Sequence, residues 1–244
     1  MTRLRVAALI PAYQAAAHLG EVLLRLQALE SPPDTLVVDD GSRDGTAEVA
    51  RRFGARLHSF AANRGKGHAL LKGFELLADY DAVVTLDADA QHPPECFPAF
   101  VAAAEAGADL VLGVRARTPN MPPVRRFANR MSSDWASALA GCRVSDSQCG
   151  YRLYRRSVVA RTPITPGRYE LETEIVVRAA RLGFRLAEIT VPTVYAEEKS
   201  QFRTLRDVPR VLGVLVRLTL ESVLPPAAMR AALRARPAGE GGER

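Results

Sequence analysis

Val83-Val84-Thr85-Leu86-Asp87-Ala88-Asp89-Ala90-Gln91-His92 runs from β-branched apolar residues straight into two carboxylates one residue apart. The apolar half reads as a buried strand. Open α/β sheets bind ligands outside the carboxyl ends of their parallel strands, so this strand would deliver Asp87 and Asp89 to a binding crevice, pointing the same way by period-2 alternation. Two carboxylates that close repel each other unless a cation lies between them, and an all-oxygen ligand set selects Mg2+ or Mn2+. Gln91 continues the alternation and can add a third oxygen, while Pro93 and Pro94 end the loop and open a helix at Glu95. The cargo expected at such a place is a metal-bound diphosphate. On spacing alone an acidic, solvated turn fits the pattern equally well.

The surrounding chain decides between the two. Residues 6–10, 36–38 and 110–114 are further short apolar runs, ended by Pro11, by Asp39-Asp40-Gly41-Ser42 and by Arg115. Between the runs lie helical patterns: Leu19, Val22, Leu23 and Leu26 fall at i, i+3, i+4 and i+7, and Phe97, Val101 and Ala104 repeat a similar stripe. Strands alternating with helices predict an α/β fold, a doubly wound, mostly parallel sheet with helices on both faces. Asp39, Asp40, Asp87, Asp89 and Arg115 then all lie just past carboxyl ends of strands, where one ligand can meet them at a switch point of the sheet.

The ordered series Ile10-Pro11-Ala12-Tyr13, Val37 to Thr46, Asn63-Arg64-Gly65-Lys66-Gly67 and Leu86 to His92 resembles the family 2 inverting glycosyltransferases, most of all the polyprenyl-phosphate (dolichyl-phosphate) sugar synthases. Gln148-Cys149-Gly150-Tyr151-Arg152, Glu170 to Glu174 and Glu198 to Arg203 extend the likeness, which covers roughly residues 4–220. The resemblance implies a GT-A architecture, a divalent ion (Mg2+ or Mn2+) at Asp87, Asp89 and Gln91, a UDP- or GDP-sugar donor and inversion at the anomeric carbon. It places Pro11, Tyr13, Asp39, Asp40, Lys66, Asp87, Ala88, Asp89 and Arg115 around the donor. Gln148, Arg152, Lys199, Ser200 and Arg203 fall on the side of the acceptor or its phosphate. Relatives commonly carry asparagine after the tyrosine and often glutamate next; this chain has Gln14-Ala15, which leaves the base undecided between uracil and guanine.

Each residue also has a plainer reading. Asp39 suits a turn cap, Asp44-Gly45-Thr46 a turn and helix start, Tyr13 the rim of the core, Arg203 a solvated helix start and Cys149 a small packing residue. The Gly65-Lys66-Gly67 loop lets backbone approach a ligand and offers a cation to phosphate, but it is not a Walker loop. A lipid phosphate acceptor is already anionic and needs no strong base. A hydroxyl acceptor does, and Asp146, Glu172 and Glu174 are then the candidates beside Asp89. Glu172 and Glu174, at i and i+2 of a helix, cannot both face one site.

Composition narrows the classes that remain. A chain of 244 residues, 48% hydrophobic, buries about 70–75% of its unfolded surface as one domain. The three cysteines have no zinc-type spacing and suit a reducing, cytoplasmic setting. Arg3 and Arg5 precede an apolar run of only five residues, read as a first strand and not a signal peptide. No stretch reaches the roughly 18–20 apolar residues of a membrane span. Residues 1–203 are expected to form the catalytic domain, 204–224 an amphipathic helix that docks on the domain or lies on a membrane surface, and 225–244 a disordered tail. From residue 201 onward there are eight arginines against four acidic residues, a bias that favours anionic lipid. Two rivals are a sugar nucleotidyltransferase and a basic nucleic-acid-binding module. The first lacks a glycine-rich loop after the first strand. The second is opposed by 6% aromatic content and acids gathered at strand ends, so no nucleic-acid partner is expected.

Overall fold

The computed structural model of the protein describes residues 4–115, 123–164, 170–192 and 204–235. Among them seven strands make one sheet. Strands β1 (Val6–Ala12), β2 (Thr35–Asp39), β3 (Arg56–Ser59) and β4 (Ala82–Thr85) are parallel and ordered β3-β2-β1-β4. Strand β5 (Leu110–Arg115) does not lie beside β4. An antiparallel strand, β6 (Arg152–Arg155), separates them, and β7 (Leu186–Val191) closes the edge parallel to β5. The expected doubly wound, mostly parallel sheet is present, with three strands that the apolar runs did not announce.

Both faces of the sheet are covered, which is why its strands read as continuous apolar runs. Ala7 and Leu9 enter one core with Leu36, Val38 and Val83, whereas Ala8 and Ile10 enter the other with Val37 and Val84. The second face carries α1 (Ala16–Gln27), α2 (Thr46–Arg52) and α4 (Phe97–Glu105). The first carries α3 (Lys66–Leu76), α5 (Pro123–Ala140), α6 (Arg156–Arg161), α7 (Glu170–Arg181) and α8 (Thr204–Val223). Helix α1 buries Leu19, Val22, Leu23 and Leu26, the four residues whose spacing predicted it. At about 1.5–3 kcal/mol each, that stripe supplies roughly 6–12 kcal/mol of gross hydrophobic stabilisation. Leu23→Asp would place an unpaired carboxylate in the stripe and break it.

Strand β1 has β2 on one side and β4 on the other, so the winding reverses there and a crevice opens beyond the carboxyl ends of β1 and β4. Strand β4 stops at Thr85, however, and residues 88–90 form a turn in which Ala90 takes φ +56. Alternation along a strand is therefore not what aims Asp87 and Asp89. The turn does it.

Helix α8 docks through Leu215 and Leu218, both buried, against α5 and α7. Its other face leaves Val216, Leu220 and Val223 exposed, and Leu224 just beyond it is exposed too. The stretch after Pro225, expected to be disordered, is helical over α9 (Ala227–Arg234), with Met229 buried. Ala227, Ala228, Ala231 and Ala232 give it high helix propensity, and one methionine anchors it to the domain.

Candidate active site

Three loops meet at the crevice and are pinned to one another by side chains that accept backbone N–H groups. Asp39 accepts from Ser42 N (3.0 Å), and Ser42 Oγ accepts from Gln14 N (2.9 Å). Thr46 Oγ1 and Asp44 Oδ2 accept from Ala15 N and Ala16 N, so the loop after β1 hangs on the loop after β2. Gln14 takes φ +52 there, a backbone region that asparagine tolerates better than glutamine. Asp40 is buried, and its two oxygens accept from Arg64 N and Gly65 N, each at 2.7 Å. Gly41, at φ +74, is needed for this approach, since a Cβ there would sit 2.6 Å from the carbonyl carbon of Ala62. The carboxylate expected to meet a base or ribose thus fixes the segment that leads into Lys66. Asp39 caps its turn.

Lys66 opens α3 and points its ammonium between Asp87 (2.7 Å) and Glu172 (3.1 Å). Burial works against the lysine's charge, but Asp87 and then Glu172 outweigh it and hold its pKa above the ordinary value. Burial likewise works against the Asp87 carboxylate, and Lys66 holds it below the usual range. Gly150 makes room for the pair: a Cβ at this position would lie 2.6 Å from Asp87 Oδ2 and 2.7 Å from Lys66 Nζ.

Asp89 lies on the open side, with Oδ1 accepting from Gln91 N (3.1 Å). Crowding by protein on its inner side, then the charge of Asp87, pushes its carboxyl up to about 6. A cation placed beside both carboxylates would lower it again. Asp87, Asp89 and Gln91 supply oxygen only, which suits Mg2+ or Mn2+. Among the described residues no three acidic, histidine or cysteine side chains converge to hold a metal by themselves. An ion here would complete its shell with donor oxygens and water, the usual arrangement for a metal held by one or two carboxylates and a diphosphate.

On the far side Arg115 grips Asp146 through both oxygens, at 2.7 and 2.9 Å. Asp146 also accepts from Gln148 N, and Arg115 holds its pKa below the usual range against the opposing effect of burial. Gln148 Nε2 reaches Ser132 and Thr173, each at 3.3 Å, among the buried hydroxyls of Ser133 and Ser147. Glu174 turns away from Lys66 to Arg178 and Arg217, so the i, i+2 pair divides as helical geometry requires.

Arg152, expected near phosphate, is fully enclosed. Its guanidinium donates to the carbonyls of Cys149, Glu172 and Ser147, at 2.7, 2.6 and 2.8 Å, and has no surface left for a ligand. Pro11 lies in β1 opposite Val38 of β2, Ala88 is the buried residue of the acidic turn and Tyr13 stands 39% exposed at the rim. Lys199, Ser200 and Arg203 lie outside the described residues. Burial pushes the Cys149 thiol up to about 12 and His92, 3.8 Å away, below its ordinary value. Gly41, Gly150 and His92 had no assigned role in the sequence. Their positions beside or within motifs were the only signal.

Comparison with known proteins identifies the family and the fold. The profile of glycosyl transferase family 2 matches residues 7–162. The chain is 34% identical over 210 residues to the undecaprenyl-phosphate mannosyltransferase of Micrococcus luteus, covering 80% of this chain and 85% of that protein. It is 30% identical over 210 residues to the polyprenol monophosphomannose synthase of Mycolicibacterium smegmatis, covering 80% and 78%. In three dimensions it superposes on the glucosyl-3-phosphoglycerate synthase of Mycobacterium tuberculosis, solved with uridine diphosphate, with a TM-score of 0.73. That match has 23% identity and covers 88% of this chain and 80% of the other, and it shows a shared GT-A-type fold. A reversing sheet with an acidic turn at its switch point, matched by the family profile over most of its strands, makes this chain a member of the family 2 glycosyltransferases.

Proposed function

We propose that the protein inverts the anomeric carbon of a nucleoside-diphosphate sugar, UDP- or GDP-linked, while transferring the sugar to a polyprenyl phosphate. The observation that carries the acceptor is the state of the candidate bases. Asp146 is held by Arg115, Glu172 by Lys66 and Glu174 by Arg178 and Arg217. Arg115 holds the Asp146 carboxyl below the usual range, the oxygens of Glu172 and Glu174 are taken up by cations, and a phosphate monoester needs no base. Asp89, pushed up to about 6, is the remaining candidate among the described residues, and it is the carboxyl a metal would occupy. The acceptor oxygen forms its bond to the anomeric carbon as the bond from that carbon to the β-phosphate oxygen breaks, and the nucleoside diphosphate leaves with the electron pair. A divalent ion at Asp87, Asp89 and Gln91 supplies charge stabilisation for that leaving group. Lys66, held by Glu172, and Arg115, held by Asp146, are proposed to stabilise the same developing charge. Lys199, Ser200 and Arg203 are proposed for the acceptor phosphate.

The lipid surface has its own support. Val216, Leu220 and Val223 of α8 and Leu224 just after it are exposed, and the short helix α9 that follows in the chain adds the exposed Arg230 and Arg234, an apolar surface followed by basic residues. Among the described residues no helix is long and apolar enough to cross a membrane, so the proposed attachment is peripheral, at the cytoplasmic face. The test is a panel of nucleotide sugars with Mn2+ or Mg2+, offered polyprenyl phosphate or the corresponding polyprenol and scored for nucleoside diphosphate release. Transfer to the phosphate and not the alcohol is expected. Transfer to the alcohol would establish a hydroxyl acceptor, with Asp89 as its base. Lys199→Ala with Arg203→Ala is expected to cut transfer at least tenfold.

A further inference from the structure

Lys66 stands on a carboxylate that the donor site needs for its metal. Asp87 Oδ1 is 2.7 Å from the ammonium. A divalent ion on the same carboxylate would meet that positive charge at close range, in partly buried surroundings where like charges repel strongly. Lys66 has a second holder, because Glu172 is buried on α7 and touches the ammonium with both oxygens, at 3.1 and 3.3 Å. The lysine can therefore leave Asp87 without losing every anionic partner. Gly150 is what lets both groups lie there, since a Cβ would stand 2.6 Å from Asp87 Oδ2 and 2.7 Å from Lys66 Nζ.

We propose that Glu172 is a positioning residue for Lys66: the lysine serves as the counter-ion of Asp87 in the donor-free protein, and Glu172 retains it when metal and nucleoside diphosphate arrive. This inference rests on the donor and metal reading above. Its physical content is an ordering of events. With Lys66 in place Asp87 attracts a divalent ion weakly. A diphosphate draws the ammonium toward its own oxygens and adds ligands to the ion, so ion and donor load together.

The experiment is a Mn2+ titration followed by the electron paramagnetic resonance of the free ion, without nucleotide and then with UDP or GDP. The wild-type protein is expected to bind Mn2+ at least tenfold more tightly with the nucleotide. Lys66→Met should raise nucleotide-free affinity about tenfold and shrink the nucleotide enhancement. Glu172→Gln, which leaves Lys66 to Asp87 alone, should lower nucleotide-free affinity below wild type. The double variant Lys66→Met, Glu172→Gln removes the buried Glu172 carboxylate together with its partner and guards against a folding defect; it too should bind Mn2+ more tightly than wild type when nucleotide is absent. If neither variant lacking the lysine gains nucleotide-free affinity, the counter-ion role is wrong. If wild type binds no Mn2+ even with nucleotide, the metal reading itself has failed, a different result.

Discussion

The loops around β1, β2 and α3 are tied by carboxylates and hydroxyls that accept backbone N–H groups, whereas the elements from β5 to α8 are tied by side-chain ion pairs. In the first region Asp39, Asp40, Ser42, Asp44 and Thr46 shape the chain itself. In the second Arg115–Asp146, Arg178–Glu221 and Arg217–Glu174 join elements that the chain does not otherwise connect. The difference predicts separate weaknesses. Removing one charge should hurt the second region most, since a buried ion left without its partner is more costly than a backbone amide that loses one hydrogen bond.

The largest effect is expected at Arg178, which is buried and holds Glu174 and Glu221 together. Arg178→Met would leave both acids without their main partner and cost about 3–5 kcal/mol. For a chain of this size that corresponds to a fall of about 6–20 °C in thermal midpoint, measurable by calorimetry. A change below about 2 °C would show that the network contributes little and remove the contrast between the regions. Next comes Asp40→Ala, which strips two charge-assisted bonds from the loop before Lys66 and should cost about 2–3 kcal/mol. Because that loop sets the lysine, nucleotide affinity should fall about tenfold or more, and calorimetric titration with UDP and GDP would detect it. Unchanged affinity would mean that the loop is not needed to place Lys66.

The two regions also differ in how far they could be read from sequence. Strands β1, β2, β4 and β5 were legible because strands buried on both faces are continuous apolar runs. Strand β6 was hidden by its ends: Arg152 and Arg155 look like surface residues, yet both donate to backbone carbonyls inside the fold. At the sheet edges, β3 and β7 are half-exposed and carry Arg56, His58 and Glu188, so no apolar run marks them. The site shows the same division. Its motif loops were legible because they follow strand ends, but the partners within it were not. Asp146 lies 31 residues from Arg115 and Glu172 lies 106 from Lys66, and no local pattern matches an acid to a base across such intervals. That is why the sequence offered three carboxylates as bases without showing the cation that each one pairs with.

A smaller, pH-dependent effect tests the Arg115–Asp146 pair. Arg115 depresses the pKa of Asp146 in the folded protein, so the pair's contribution to stability is present above the unfolded carboxylate value of about 3.9. It is lost as pH falls through the depressed folded value. Arg115→Met should therefore be less stable than wild type by about 1–3 kcal/mol near pH 7, and the gap should narrow below about pH 4. Denaturant titrations at pH 7, 5 and 3.5 would follow it. A gap independent of pH would assign the loss to the packing of the arginine stem.

The smallest change in stability belongs to α8, whose two faces set the same contrast within one helix. Leu218 points inward and is buried, while Leu220, two residues on, is 66% exposed. Leu220→Ser removes almost no contact within the domain and should shift folding stability by no more than about 0.5 kcal/mol. If the outer face lies on lipid, the same change loses about 1–2 kcal/mol of partitioning and weakens binding to anionic vesicles about fivefold to thirtyfold. Raising salt should reduce the share of binding due to Arg230 and Arg234, because surface charges are screened within about 10 Å at 0.1 M, and leave the apolar share in place. Sedimentation with vesicles of phosphatidylglycerol and phosphatidylcholine, at low and high salt, separates the two contributions. Wild-type partitioning by Leu220→Ser at both salt concentrations would mean that this face does not meet the membrane, and the lipid-linked acceptor would then have to reach the crevice by another surface.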